Sequence, residues 1–186
     1  MRPARSKIAL LACALAATLA AAGCSTGRPN GAAREGLSVE VAGLNYNVYI
    51  TRQLNLRDAE DRDYYHGPEA PPGFALYGVF IKVCNPEKGF RTPVATEFTV
   101  EDNQGNAFRP IELPPENVFA YRPRLLSHNA CIPENGSAAA SGPTEGSLLL
   151  FRFPNSTLEN RPLELLIENS PGPGQPIQKK VVDLDI

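Results

Sequence analysis

The chain has 186 residues, with 18 basic and 20 acidic side chains, 18 prolines, 15 glycines and no tryptophan. A formal net charge of −2 argues against nucleic acid or an anionic membrane surface as a partner, because both select basic faces. Pro and Gly are abundant but not periodic, which fits a turn-rich β domain and excludes a collagen-like chain.

The first 22 residues are unlike the rest. Arg2, Arg5 and Lys7 precede Ile8 to Ala22, a stretch with no charge. A basic segment followed by a short apolar one is the layout of a secretory signal peptide. The apolar run is Ala-rich and shorter than the roughly 20 residues a spanning helix needs. Ala21-Ala22-Gly23-Cys24 then resembles the lipobox of bacterial lipoproteins, in which small residues precede a cysteine. That resemblance implies a thiol that accepts a diacylglyceryl group and a peptidase that cuts before it. The usual Leu three residues before the cysteine is Ala21 here, with Leu19 two residues earlier. The implied organisation is a cleaved leader over residues 1–23 and a lipidated N-terminus at Cys24. The implied location is the extracytoplasmic face of the cell membrane, or the outer membrane where the envelope has two. An ordinary secretory signal, with Cys24 a free thiol, and an uncleaved membrane anchor are the alternatives.

Removing residues 1–23 leaves 163 residues with 15 basic and 20 acidic side chains, enough chain for one domain with a proper core. Of the four cysteines, Cys13 leaves with the leader and Cys24 takes the lipid. Cys84 and Cys131 remain in an oxidising compartment, which predicts a disulfide worth roughly 4 kcal/mol in the chain-entropy model. Two buried free thiols are the alternative. No CxxC pair supports a metal or thioredoxin-like reading.

Residues 24–36 are small and polar and read as a flexible tether. From Leu37 the pattern alternates: Leu37, Val39 and Val41, then Leu44, Tyr46, Val48 and Ile50 point one way, as in strands with one buried face. Residues 53–73 form a long polar excursion closed by a Pro-rich turn, and loops of that length are usually functional or mobile. Phe74 to Val83 is the most apolar, β-prone run and predicts a central strand. Further strands are predicted at Thr96–Glu101, Ala107–Arg109, Val118–Tyr121, Ser147–Phe153, Leu163–Glu168 and Lys179–Asp185, with irregular chain over 122–146. No segment holds a 3.6-residue period. About eight short strands separated by turns predict an all-β antiparallel sandwich over residues 37–186.

Leu76–Asn85 (LYGVFIKVCN), Phe98–Asn106 (FTVEDNQGN) and Gly146–Phe153 (GSLLLFRF), followed by Pro162-Leu163-Glu164-Leu165, resemble the DUF4352-type domain. That is an immunoglobulin-like family of bacterial lipoproteins and a secreted mycobacterial antigen. A strand ending near an Asn, a D-x-x-G hairpin and a late strand reaching F-x-x-P (Phe151 to Pro154) carry the resemblance over about residues 37–186. The cysteine pair and the long 53–73 insertion depart from the family. The resemblance implies an immunoglobulin-like antiparallel β-sandwich and an extracytoplasmic setting, with no catalytic residues.

Candidate chemistry is sparse. His66 and His128 are the two histidines, and no G-x-S-x-G elbow accompanies them. Nothing selects a carboxylate pair of the glycosidase kind. The cluster Asp58, Glu60, Asp61, Asp63, Tyr64, Tyr65, His66 is the best candidate ligand-binding loop. Alternating oxygen ligands could hold Ca²⁺, but the EF-hand Gly and closing Glu are missing, and Arg57 and Arg62 offset the charge. A solvated acidic loop is the plainer reading, and the expected cofactor is none. Paired Tyr64 and Tyr65 suit a contact surface for protein or glycan; the bland alternative is that one Tyr anchors the loop. The expectation is a non-enzymatic binding module held to the lipid bilayer by its acyl chains. Its expected partner is an envelope protein or glycan, met through loops 53–73 and 122–146. An accessory subunit of an envelope complex is the second reading and a hydrolase of envelope material the third.

Overall fold

The computed structural model describes residues 31–89 and 91–186. The predicted leader, Cys24 and the chain through residue 30 lie outside the described residues. The described residues form twelve strands: β1 (Ala33–Arg34), β2 (Ser38–Val41), β3 (Leu44–Leu54), β4 (Phe74–Cys84), β5 (Thr92–Pro93), β6 (Glu97–Glu101), β7 (Ala107–Phe108), β8 (Leu125–Leu126), β9 (Cys131–Ile132), β10 (Ser147–Pro154), β11 (Leu163–Asn169) and β12 (Gln178–Leu184). Two short helices, α1 (Ala59–Tyr64) and α2 (Ala138–Ser141), and a 3₁₀ turn at Asn155–Glu159 complete the elements. Among the described residues no helix is long and apolar enough to cross a membrane.

One sheet runs β1-β12-β11-β6-β7 and the other β10-β4-β3-β2, with β9 also on β4 and a separate β5–β8 pair. The chain is the expected all-β, immunoglobulin-like sandwich. Pairing is antiparallel throughout the sheets except for β1, which runs parallel to β12 with Ala33 opposite Val182 and Arg34 opposite Asp183. β1 therefore brings into the sandwich a piece of the stretch expected as tether. The Glu35 carboxylate follows it inward, accepting the backbone N–H groups of Thr51 on β3 and Asp185 after β12.

Period-2 alternation does the expected work between the sheets from Val39 to Val48; a bulge between Val48 and Ile50 then turns Ile50 outward and Thr51 inward, and Leu37 is exposed as well. Tyr46 and Val48 from β3, Tyr77, Val79, Ile81 and Val83 from β4, and Phe151 and Phe153 from β10 meet Phe98, Val100, Leu165, Ile167 and Val182 from the facing sheet. Tyr46 needs a partner for its buried hydroxyl. It accepts the Ala95 N–H at 2.8 Å, while Tyr121 donates to the Ala95 carbonyl at 2.9 Å. Burial pushes Tyr46 up to about 12, against the hydrogen bonds from Ala95 and Asn169.

β4 differs from an ordinary sandwich strand because its second face is buried too. Leu76 and Phe80 point away from the main core into a second apolar cluster with Leu54, Leu56, Tyr64, Leu113, Ala120, Leu148 and Leu150. Gly78 lies between them, and a Cβ there would sit 2.9 Å from both Leu148 and the Phe80 ring. This third layer is made by residues 54–70 and 111–120. The segment 109–121 also closes the outer edge of β10: Ile111 N–H reaches the Leu150 carbonyl at 2.6 Å and Tyr121 N–H the Leu148 carbonyl at 3.0 Å.

Cys84 and Cys131 are disulfide-bonded as predicted, with Cα atoms 4.1 Å apart at directly paired positions of β4 and β9. Asn85, fully buried beside it, donates to the Leu126 carbonyl at 2.8 Å and ties the 125–131 segment to the end of β4.

Candidate functional site

The excursion at 53–73 is pinned rather than loose. Its polar sequence hides a small set of buried anchors. Asp58 occupies the N-cap of α1 and accepts the Glu60 N–H at 2.9 Å, satisfying one of the donors every helix start leaves open. Asp61 points inward, 5 % exposed. It accepts the Asn55 N–H at 2.7 Å and meets the Arg52 guanidinium at 2.6 Å. Arg52 also holds Glu60 at 3.0 Å and lies over the rings of Tyr64 and Phe80, 5.5 and 5.8 Å from their centroids. A buried carboxylate without such a cation would be costly.

Tyr64 is the deepest anchor, 1 % exposed. Its ring packs edge-on to Phe80 and Phe119 at 5.0 and 4.8 Å, and its hydroxyl accepts the Thr144 N–H at 3.0 Å. Its own carbonyl accepts from Asn117 Nδ2 at 2.8 Å, while Asn117 Oδ1 takes the N–H groups of Phe119 and Ala120, both at 3.0 Å. One side chain thus fixes the 117–120 turn against the 53–73 excursion.

The sequence cluster is therefore split. Asp61 and Tyr64 face the protein and build the fold, and Asp58 caps α1 from the exposed side. Asp63, Tyr65 and His66 face a groove of about 590 Å³, whose opposite wall is Glu112, Pro114, Glu116, Asn117, Val118 and Phe119. Tyr65 forms its floor by folding back over Gly67, where a Cβ would lie 2.1 Å from the Tyr65 ring. Val118 is 65 % exposed beside it. Among the described residues, Asp63, Glu112, Glu116 and His66 make no ion pair or side-chain hydrogen bond, so their polar atoms remain open to a visitor.

A second cavity of about 420 Å³ lies at the β10 edge, lined by Glu97, Arg109, Ile111, Tyr121 and Arg122 among others. Its charges are already used. Arg109 meets Glu97 at 2.8 Å, and Arg122 donates to the carbonyls of Leu113 and Pro114. The groove beside Tyr65 is the better candidate for that reason.

The Ca²⁺ alternative gains nothing from the geometry. Asp58, Asp61 and Asp63 take up three different tasks, and among the described residues no group of three or more His, Cys, Asp or Glu side chains is arranged to hold a metal ion. The plain reading of a solvated acidic loop fails for Asp61, which is buried. The pairing of loops also differs from expectation: the groove wall opposite Tyr65 comes from 112–119, while the 122–146 segment contributes the Thr144 anchor beneath. Residues 112–119 read ELPPENVF. The signal that marks them is the Pro-Pro-Glu-Asn turn presenting Val118; the strand expected at Val118–Tyr121 is instead a turn with a single bridge at Ala120.

No protein-family model matches the chain. No curated protein matches it either. Among solved structures it is similar to the yjhA protein from Bacillus subtilis, at 11 % identity over 82 % of this chain and 99 % of that one, with a TM-score of 0.49.

Proposed function

We propose that this chain is an extracytoplasmic lipoprotein, anchored through lipid on Cys24, whose domain is a non-enzymatic interaction module of the DUF4352-type resemblance. The groove between residues 63–67 and 112–119 is its recognition surface. The observation that carries this is the contrast within one loop: Asp61 and Tyr64 are locked into the protein, while Asp63, Tyr65 and His66 line an open groove with their polar atoms unspent. A rigidly supported wall with half-buried aromatic and exposed carboxylate groups favours recognition, because little side-chain order is lost on binding. The Cys84–Cys131 bond supports the extracytoplasmic part, since such bonds persist mainly in oxidising compartments. The partner class is an envelope protein or glycan.

The test is photo-crosslinking in the native envelope from position 65 or 118, with position 152 as a control on an exposed strand face. A defined adduct from 65 and 118 that is absent from 152 is the expected result. Gly67→Ala should abolish it, because the new Cβ forces the Tyr65 ring off the floor. The same variant should keep its melting temperature, since only an outer ring moves. Equal labelling from all three positions would remove the groove from consideration. Separately, Cys24→Ala should release the protein from the membrane fraction; retention there would sink the lipid anchor.

A further inference from the structure

We infer that one end of the sandwich, formed by the segments at 42–43, 85–89, 91–96, 125–131 and 170–177, rests on the bilayer that holds Cys24. Ile177 and Leu125 enter the interface, and Lys88, Arg91 and Lys180 face lipid phosphates. This rests on the reading of Cys24 as the lipidated N-terminus.

Strand polarity sets the direction. β1 runs parallel to β12, with Ala33 opposite Val182. The chain therefore enters β1 from the side on which β12 begins, the side of Gln178 and Lys180. The same end collects the other turns. Gln178 Oε1 accepts the Ala42 N–H at 2.8 Å, Glu87 lies 3.9 Å from where a Gly43 Cβ would be, and Glu97 pairs with Glu168 one residue from Asn169 and Gln178. Leu125 joins it through its pairing with Pro93, which shares a cavity of about 490 Å³ with Ile177.

Chain length keeps that end close to the lipid. Residues 25–32 separate Cys24 from β1. Fully extended, the nine Cα steps from Cys24 to Ala33 span at most about 32 Å. A link of that length keeps the domain near the surface, and the direction of β1 turns this end toward it.

The side chains fit the surface they would meet. Residues 173–180 are exposed without a break. Ile177 is 72 % exposed and Leu125 57 %, large apolar groups that suit the headgroup boundary. Lys179 is held by Glu168 at 3.1 Å, whereas Lys88, Arg91 and Lys180 form no ion pair with a described residue. Of the carboxylates at this end, Glu97 and Glu168 are paired with Arg109 and Lys179, which leaves Glu87 beside the three cations. At the opposite end Glu101, Glu164 and Asp183 sit side by side across three strands, with Arg34 opposite Asp183 and Asp102 and Glu159 beyond them. An anionic bilayer attracts the first end and repels the second.

The chain lacks tryptophan, so a single introduced Trp reports its own depth. The mature lipidated protein, carrying Ile177→Trp or Val118→Trp, is bound to phosphatidylcholine–phosphatidylglycerol vesicles with brominated acyl chains. Emission at position 177 should shift to the blue and be quenched at least about twofold more than at 118, as expected for burial at the acyl boundary. Lys88→Glu with Lys180→Glu should reduce that quenching. Equal quenching at the two positions, or stronger quenching at 118, in protein that pellets with the vesicles overturns the orientation and leaves the lipid anchor standing. Protein that fails to pellet overturns both.

Discussion

Tyr64 and Tyr65 are chain neighbours with opposite roles, and the difference is one of environment. Tyr64 fills the layer over β4 and spends its hydroxyl on Thr144; Tyr65 lies on Gly67 at the surface of the groove. Replacing Tyr64 by Phe removes only the acceptor for the Thr144 N–H and should cost about 1 kcal/mol in urea unfolding. Tyr64→Ala also empties the space between Phe80 and Phe119 and should cost about 3–5 kcal/mol. The sequence marked this pair as notable but could not say which ring turns inward, because that depends on Phe80, Phe119 and Thr144, none of them local. Asp61 was equally opaque: its burial follows from Arg52, nine positions earlier on β3. At the other end of the pH scale, Tyr46 is held neutral by burial up to about 12, and Tyr121 is raised by burial and by its neighbour Tyr46. An unfolded Tyr ionises near 10. Their contribution is therefore complete below pH 10; that of Tyr46 should be lost between about 10 and 12, and that of Tyr121 as pH rises through its own raised value. Alkaline unfolding followed by circular dichroism should show that loss, with a shallower slope in Tyr46→Phe.

Strand β4 was the most legible element because both of its faces are buried, so its apolar run shows no alternation to misread. Helix α1, of six residues, was illegible for a plain reason: less than two turns cannot display a 3.6-residue period. The Asp102-Asn103-Gln104-Gly105 turn was read correctly as a turn, yet its reach was not. Burial raises the Asp102 carboxyl, but hydrogen bonds from Asn106 side chain and backbone, Asn160 and the Gln104 N–H outweigh it and hold the group below the usual carboxylate range. The turn thereby grips the 155–162 segment. Since the folded form binds its proton less readily than the unfolded one, the stabilisation is present above about pH 4 and lost as pH falls through the depressed value. Asp102→Asn should flatten the acid limb of a melting-temperature profile. Across β6, β11 and β12, Glu101, Glu164 and Asp183 lie directly opposite one another, and like charges in such positions repel. Glu164→Lys should raise stability by about 0.5–1 kcal/mol at low salt and less at high salt, measured by thermal melting.

For the whole molecule, the fold class was legible because alternation and turn spacing repeat from Leu37 to Asp185. The third layer was not, because its apolar residues, Leu54, Leu56, Leu113 and Ala120, are scattered through polar chain with no period. The disulfide was legible by elimination, and the structure adds its place: it joins the end of the central strand to β9 across 47 residues. Its reduction should lower stability by roughly 4 kcal/mol, read as a drop in melting temperature with reductant. Non-reduced mass spectrometry of the exported protein should find no alkylatable thiol at Cys84 or Cys131.

The parallel pairing of β1 with β12 also has a mechanical side. β1 is two residues long, and beyond it the Glu35 N–H, bonded to the Asp183 carbonyl at 3.1 Å, the Glu35 carboxylate, and the Gly36 N–H, bonded to the Val48 carbonyl at 2.7 Å, hold the chain's entry to the sandwich. None of the large core side chains belongs to this segment. On the proposed anchoring at Cys24 and recognition at the groove, a pull between the two would load these few bonds along the strand axis, before any strand of the core. Giving way there frees Ala33 to Gly36 and lengthens the leash by at most about 14 Å, with both sheets and the disulfide intact. The first strand is in effect a short coil of spare rope, wound onto the edge of the domain and paid out under tension.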